Sequence, residues 1–201
     1  MKRLVFSLFF IAWVNVSFAQ EAILLAFSKS YEREQYQDYK TAIKHLTDVY
    51  QEKSYQMNVR LGWLSYLNKD FVVSTNYYRK AMEISKNSIE ARMGYVLPAS
   101  LLGNWNEVAD RYREIVKIDP RNTTANYRLG LIHYNRKEYS SAYEYLNKVL
   151  DIYPNDYSSL SLQAWTCVSL GKVEQARNFF TQVLILSPND IAALKGLSQL
   201  K

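Results

Sequence analysis

Four columns of residues recur every 34 positions between residues 55 and 190. This period confines the chain to architectures in which one small unit is stacked on itself. Phe71, Trp105, Tyr139 and Val173 form one column. Ser74, Val108, Ala142 and Ala176 form a second, and Tyr78, Tyr112, Leu146 and Phe180 a third. Lys86, Pro120, Pro154 and Pro188 close each unit. A chain of this kind builds a repeated surface rather than a single reaction centre.

Each unit divides into two helical stretches. In the third, Thr124–Asn135 carries Tyr127, Leu131 and Tyr134 at helical spacing, and Ser140–Tyr153 carries Ala142, Leu146, Val149, Leu150 and Tyr153. The corner between them is Arg136-Lys137-Glu138. Gly103 and Gly171 stand at that corner in two other units, where a helix end favours a left-handed residue. Pro154 and Pro188 stop a helix, and Ser88, Asn122, Asp156 and Asp190 are placed to cap the next one. Helices of about 13 residues are marginal alone in water, so each pair must bury its inner face against its neighbours. Small residues (Gly62, Gly130 and Ala164 in first helices; Ser74, Ala142 and Ala176 in second helices) alternate with the large third column, as interlocking helix layers require.

The pattern resembles the tetratricopeptide repeat, or TPR. It is carried by Leu129-Gly130, Tyr139, Ala142, Leu146, Val149 and Pro154 in the third unit. Ala164, Gly171, Ala176, Phe180 and Pro188 repeat it in the fourth, and Leu61-Gly62, Phe71, Ser74, Tyr78 and Ala81 in the first, where Lys86 replaces the usual Pro. The resemblance covers about two thirds of the chain. It implies an all-α fold, a right-handed α-solenoid of stacked antiparallel helix pairs. The expected divisions are units 55–88, 89–122, 123–156 and 157–190, preceded by a degenerate helix pair over 20–54 and followed by a capping helix over 191–201. Leu194, Leu197 and Leu200 are expected on the covered side of that last helix. The second unit departs most, with Val96 where Gly is usual, Val108 and Ile115 at small-residue places, and Pro98 inside its first helix.

In that family the first helices line a concave groove that takes an extended peptide or a helix of another protein. The positions that the resemblance assigns to the groove are Val59, Met93 and Tyr127; Trp63, Leu97, Leu131 and Trp165; and Tyr66 and Tyr134. They are aromatic or apolar, and Trp and Tyr offer large rigid area with a polar tip. Val59 and Trp63 stand where a carboxylate-gripping version would have Lys and Asn, which argues against recognition of a chain's C-terminal carboxylate.

No catalytic residue, metal site or cofactor is expected. His45 and His133 lack partners at metal-ligand spacing, and no glycine-rich phosphate loop or nucleophile turn is present. Cys167 lies in an apolar helical stretch and reads as a buried small hydrophobe. The basic clusters Arg79-Lys80 and Arg111–Lys117 alternate with Glu83, Asp110 and Glu114 as on a solvated face, so no nucleic acid is expected as a partner.

Met1–Ala19 reads as a secretory signal peptide: Lys2 and Arg3, an apolar run over Leu4–Val14, and Ser17-Phe18-Ala19 before the cut. The uncharged stretch Leu4–Gln20 is 17 residues, short for a membrane span, so an N-terminal anchor is the alternative. The net charge is +6, and loss of Lys2 and Arg3 leaves +4, enough for weak attraction to an anionic membrane surface. The expectation is an exported, periplasmic or secreted scaffold that binds another protein, of open oligomeric state. The alternative is an assembly subunit that oligomerises through its convex face or its terminal repeats.

Overall fold

The computed structural model describes residues 20–200, so the expected signal peptide lies outside the described residues. Among the described residues every regular element is a helix, and there is no strand. A helix over 20–35 (α1) leads to α2 (Tyr39–Thr47), α3 (Tyr55–Leu67), α4 (Phe71–Ile84), α5 (Ile89–Leu101) and α6 (Trp105–Ile118). They are followed by α7 (Thr123–Asn135), α8 (Tyr139–Leu150), α9 (Tyr157–Ser169), α10 (Val173–Leu186) and α11 (Ile191–Gln199). First helices begin at 55, 89, 123, 157 and 191, and second helices at 71, 105, 139 and 173, each one repeat apart. None of the described helices is long and apolar enough to cross a membrane.

Capping explains where the first helices start. Ser54, Ser88, Asn122, Asp156 and Asp190 each accept the backbone N–H three residues on. Each satisfies one of the orphan donors of a helix N-terminus. Asp190 also accepts from the Tyr157 hydroxyl, and this bond, with the Ala193 N–H, holds its carboxyl below the usual range. A depressed folded-state pKa stabilises fully above the unfolded value, and the gain is lost as pH falls through the folded one. Asp190→Ala is therefore expected to lower stability by about 1 kcal/mol at neutral pH. Its difference from the parent should fade below roughly pH 4, which urea titrations at several pH values will show.

The corners repeat as well. Gly103 and Gly171 take positive φ (74° and 71°), as expected, and so do Gln37, Lys69 and Lys137 (59°, 66° and 60°) at the equivalent corners. Side chains with a Cβ pay for this conformation. Lys137→Gly is expected to gain about 0.5–1 kcal/mol. Gly171→Ala should lose about 1 kcal/mol from backbone strain alone, because no atom lies within 4 Å of the added methyl group. Denaturation midpoints measure both.

Joints between repeats are tied by a column absent from the sequence pattern. The Asn58 amide donates to the carbonyls of Glu52 and Ser54, and Asn126 to those of Pro120 and Asn122. Arg92, at the intermediate position, donates to Lys86 and Ser88. The carbonyls of the preceding turn thereby gain a side-chain donor, in addition to the backbone N–H groups of Asn58 and Asn126 that Ser54 and Asn122 already accept.

The chain divides into two compact units, one reaching to Trp105 and one starting at Asn106. The division falls inside repeat 89–122, the one furthest from the pattern. In the first unit, Ala26, Ala42, Leu46, Met57, Leu61 and Leu64 form the core. The Tyr78 ring lies between two glycines: an added Cβ would sit 3.0 Å from it at Gly62 and closer still at Gly94. The Ser74 hydroxyl donates to the Gly62 carbonyl at 2.7 Å. In the second unit Leu160, Ala164, Cys167, Ala176, Phe180 and Val183 form the core, closed by Ala193 and Leu200 of the last segment.

Two expectations are corrected in detail. The second helix of repeat 123–156 ends at Leu150, not Tyr153, because a residue preceding Pro is steered away from helical backbone, here Tyr153 before Pro154. α11 turns Ala193, Gly196 and Leu197 inward, while Leu194 is 49% exposed. Pro98 is buried within α5, which continues to Leu101 without interruption.

Candidate functional site

In the first unit, Val59, Trp63, Tyr66 and Met93 are half-buried on α3 and α5, and Leu97 is exposed. Trp63 stacks on Tyr66, with centroids 5.7 Å apart. This face is not free of charge, as the pattern suggested. Glu34 of α1 pairs with Arg60 Nη1 at 2.5 Å and accepts from Trp63 Nε1 at 2.7 Å. The Arg60 guanidinium lies 3.7 Å over the Tyr31 ring. Glu34 carried no repeat signal, because α1 belongs to the degenerate upstream segment.

In the second unit, Tyr127, Leu131, Tyr134 and Trp165 are half-buried. The structure brings three of them together. Tyr127 and Tyr134 of α7, with Tyr157, Ser158, Ser161, Leu162 and Trp165 of α9, line an open cavity of about 300 Å³. Leu131 is not part of this lining. The rings are held in place: Trp165 stands edge-on to Phe180 at 5.1 Å, Tyr134 edge-on to Tyr139 at 5.6 Å, and Tyr157 is bonded to Asp190. Burial raises the Tyr134 hydroxyl pKa, so it stays protonated at neutral pH. No ionisable group other than tyrosine lines the cavity. Tyr157, Ser158 and Leu162 were missed by the groove columns. Tyr157 had a signal, since Tyr55 occupies the same place in repeat 55–88.

A larger cavity of about 490 Å³ lies on the outer side of α4, lined by Tyr50, Val73, Asn76, Tyr77, Arg79, Lys80 and Glu83. Its Lys80 is engaged by Glu52 at 2.9 Å and by the Tyr50 hydroxyl.

Two groups with reactive chemistry, His133 and Cys167, are buried. His133 is buried, bonded to Glu138 and stacked on Tyr145. Cys167 is buried, and desolvation pushes its thiol pKa up to about 11, so little thiolate forms at neutral pH. Among the described residues, no group of three or more His, Cys, Asp or Glu is placed to hold a metal ion.

Residues 106–183 match the family described as anaphase-promoting complex, cyclosome, subunit 3. The chain is 24% identical over 165 residues to the Protein CTR9 homolog of Arabidopsis thaliana, covering 77% of this chain but only 15% of that protein. A tetratricopeptide repeat protein from Parabacteroides merdae superposes with a TM-score of 0.76 at 17% identity, over 90% of this chain and 72% of that one. YrrB, described as a TPR protein with an unusual peptide-binding site, gives 0.72 at 11% identity, over 88% and 92% of the two chains. MamA from Desulfovibrio magneticus gives 0.71 at 15% identity, over 85% and 97%. Repeat columns, paired helices and these likenesses converge on one architecture: the chain has the fold of a tetratricopeptide-repeat solenoid.

Proposed function

We propose that this chain is an exported member of the tetratricopeptide repeat family, a non-enzymatic scaffold of the cell envelope that grips a segment of another protein on its first-helix face. The observation that supports this most is the aromatic cavity of the second unit, whose rings are braced from behind and whose front is open. Pre-positioned aromatic side chains lose little freedom on binding, which favours recognition of a polypeptide. The peptide-binding site named for YrrB is consistent with this use of the fold. Export rests on the N-terminal sequence pattern alone.

The test is a photo-crosslinking side chain at Ser158 of the mature protein, used in an envelope extract. A defined adduct that falls about tenfold with Tyr127→Ala is expected, at unchanged helical circular dichroism. An adduct indifferent to Tyr127→Ala places recognition elsewhere.

A second reading, assembly through a terminal repeat, is favoured by α11, where Ile191 (81% exposed) and Leu194 present an apolar face. Light scattering decides it. A concentration-independent dimer dissolved by Leu194→Lys would favour assembly, and a monomer would exclude it.

A further inference from the structure

The repeat builds the same constellation twice, and the two copies differ in what fills them. α3 and α9 are three repeats apart, so Tyr55 corresponds to Tyr157, Val59 to Ser161, Arg60 to Leu162 and Trp63 to Trp165. On the preceding first helices, Phe27 corresponds to Tyr127 and Glu34 to Tyr134. In the first unit the place is filled from within the chain: Glu34 accepts from Trp63 Nε1, and Arg60 balances its charge. In the second unit Tyr134 replaces that carboxylate and Leu162 replaces that guanidinium. Among the described residues, no acceptor from the chain takes the Trp165 indole N–H, and Trp165 is one of the residues that line the open cavity.

Resting on the peptide-binding reading above, we propose that this cavity takes an uncharged, proline-rich stretch of another polypeptide in extended form. One of its backbone carbonyls accepts from Trp165 Nε1, as Glu34 does in the first unit, and its proline rings lie on Tyr127 and Tyr157. Charge complementarity selects this occupant. Leu162 stands where Arg60 does in the other copy, and Arg128, 5.9 Å from the Tyr127 ring centroid, does not line the cavity, so a carboxylate would enter without a paired cation, and an unbalanced charge in a part-desolvated site is costly. A helix has most of its carbonyls bonded internally, whereas a polyproline II segment has no internal hydrogen bonds and presents its carbonyls outward. Proline brings no N–H that would need an acceptor, and aromatic-lined grooves suit the preformed proline helix.

The experiment titrates the full mature chain with a capped oligoproline of about twelve residues, four turns of such a helix. Glutamate-interspersed, neutral helical Ala/Gln, and Gly/Ser peptides of equal length serve as comparisons. Calorimetry gives affinity, and the indole N–H resonances report the site, with Trp165→Phe supplying the assignment. Oligoproline should bind more tightly than the other three and move the Trp165 indole signal while leaving that of Trp63 in place. Tyr127→Ala should weaken binding about tenfold. Trp165→Phe keeps a six-membered aromatic ring against Phe180 but removes the indole N–H together with its pyrrole ring, and it should weaken binding about threefold or more, at least as much as loss of one hydrogen bond does. Failure of oligoproline to bind, a preference for the acidic or helical peptide, or binding indifferent to both variants overturns the proposal. If the Tyr127-dependent crosslink at Ser158 persists in that case, the peptide-binding reading stands and only the proline assignment falls.

Discussion

Gly94→Ala is expected to destabilise the first unit by roughly 2 kcal/mol, although alanine is the better helix former. The added Cβ would lie 2.8 Å from Tyr78 Cδ1 and nearer still to Cε1 and Cζ. The ring is 3% exposed and cannot retreat, because its other face already rests against Gly62. Overpacking of this kind costs up to about 3 kcal/mol, and the gain in helix propensity returns about 1. Gly196→Ala should behave alike, since its Cβ would lie 2.7 Å from Phe180 Cε1 and closer to Cζ. For contrast, Gly103→Ala meets nothing within 4 Å and should show only backbone strain. Thermal melts will separate the cases, a loss of this size lowering Tm by about 5 °C in a chain of this length. Tyr78→Leu in the Gly94→Ala background should recover part of the loss, because the smaller side chain vacates the space. If Gly94→Ala is as stable as the parent, the ring is not wedged between the two glycines.

Gly94 also shows what the sequence could and could not reveal. A period exposes residues that perform the same task at the same place, so the caps at 88, 122, 156 and 190 and the small–large columns at 74 and 78 were legible. Gly94 and Gly196 lie off those columns. They serve the contact between a second helix and the first helix of the following repeat, and at the same register Arg128 and Leu162 intervene. The left-handed corners at Lys69 and Lys137 were legible only through their 34-residue register with Gly103 and Gly171, because the residue type itself carries no mark of the backbone conformation that the two helices impose. Leu194 appeared to belong to a covered stripe because sequence spacing fixes an angle around a helix but not which arc its neighbour covers. Of the groove residues, Tyr127, Tyr134 and Trp165 line one cavity, and Leu131 does not. The charge beneath Trp63 arrived from α1, outside the strict period, where no column could announce it.

That charge carries the second large effect. Glu34→Ala is expected to cost about 2–3 kcal/mol, the lower end for removing one partner of a buried ion pair, because Glu34 itself is only partly buried. Its carboxylate serves two donors at once, Arg60 Nη1 and Trp63 Nε1. The Arg60 side chain is 7% exposed against 22% for Glu34, so the guanidinium is the group that cannot turn to water when its partner goes. Its Nε and Nη2 already lack acceptors, and the Tyr31 face would be its one remaining stabilising neighbour among those described. Arg60→Met reverses the situation. It removes the buried charge, keeps much of the side-chain volume, and leaves a carboxylate that can reach solvent and still hold Trp63, so its cost should be about 1 kcal/mol or less. The double variant should then be no worse than Glu34→Ala alone, a coupling that a double-mutant cycle in urea measures directly. Salt should change these differences little, because counterions do not reach a guanidinium buried to this depth. Equal costs for Glu34→Ala and Arg60→Met, both erased by salt, would mean an exposed surface pair instead, and with it the loss of the contrast between the filled constellation of the first unit and the open one of the second.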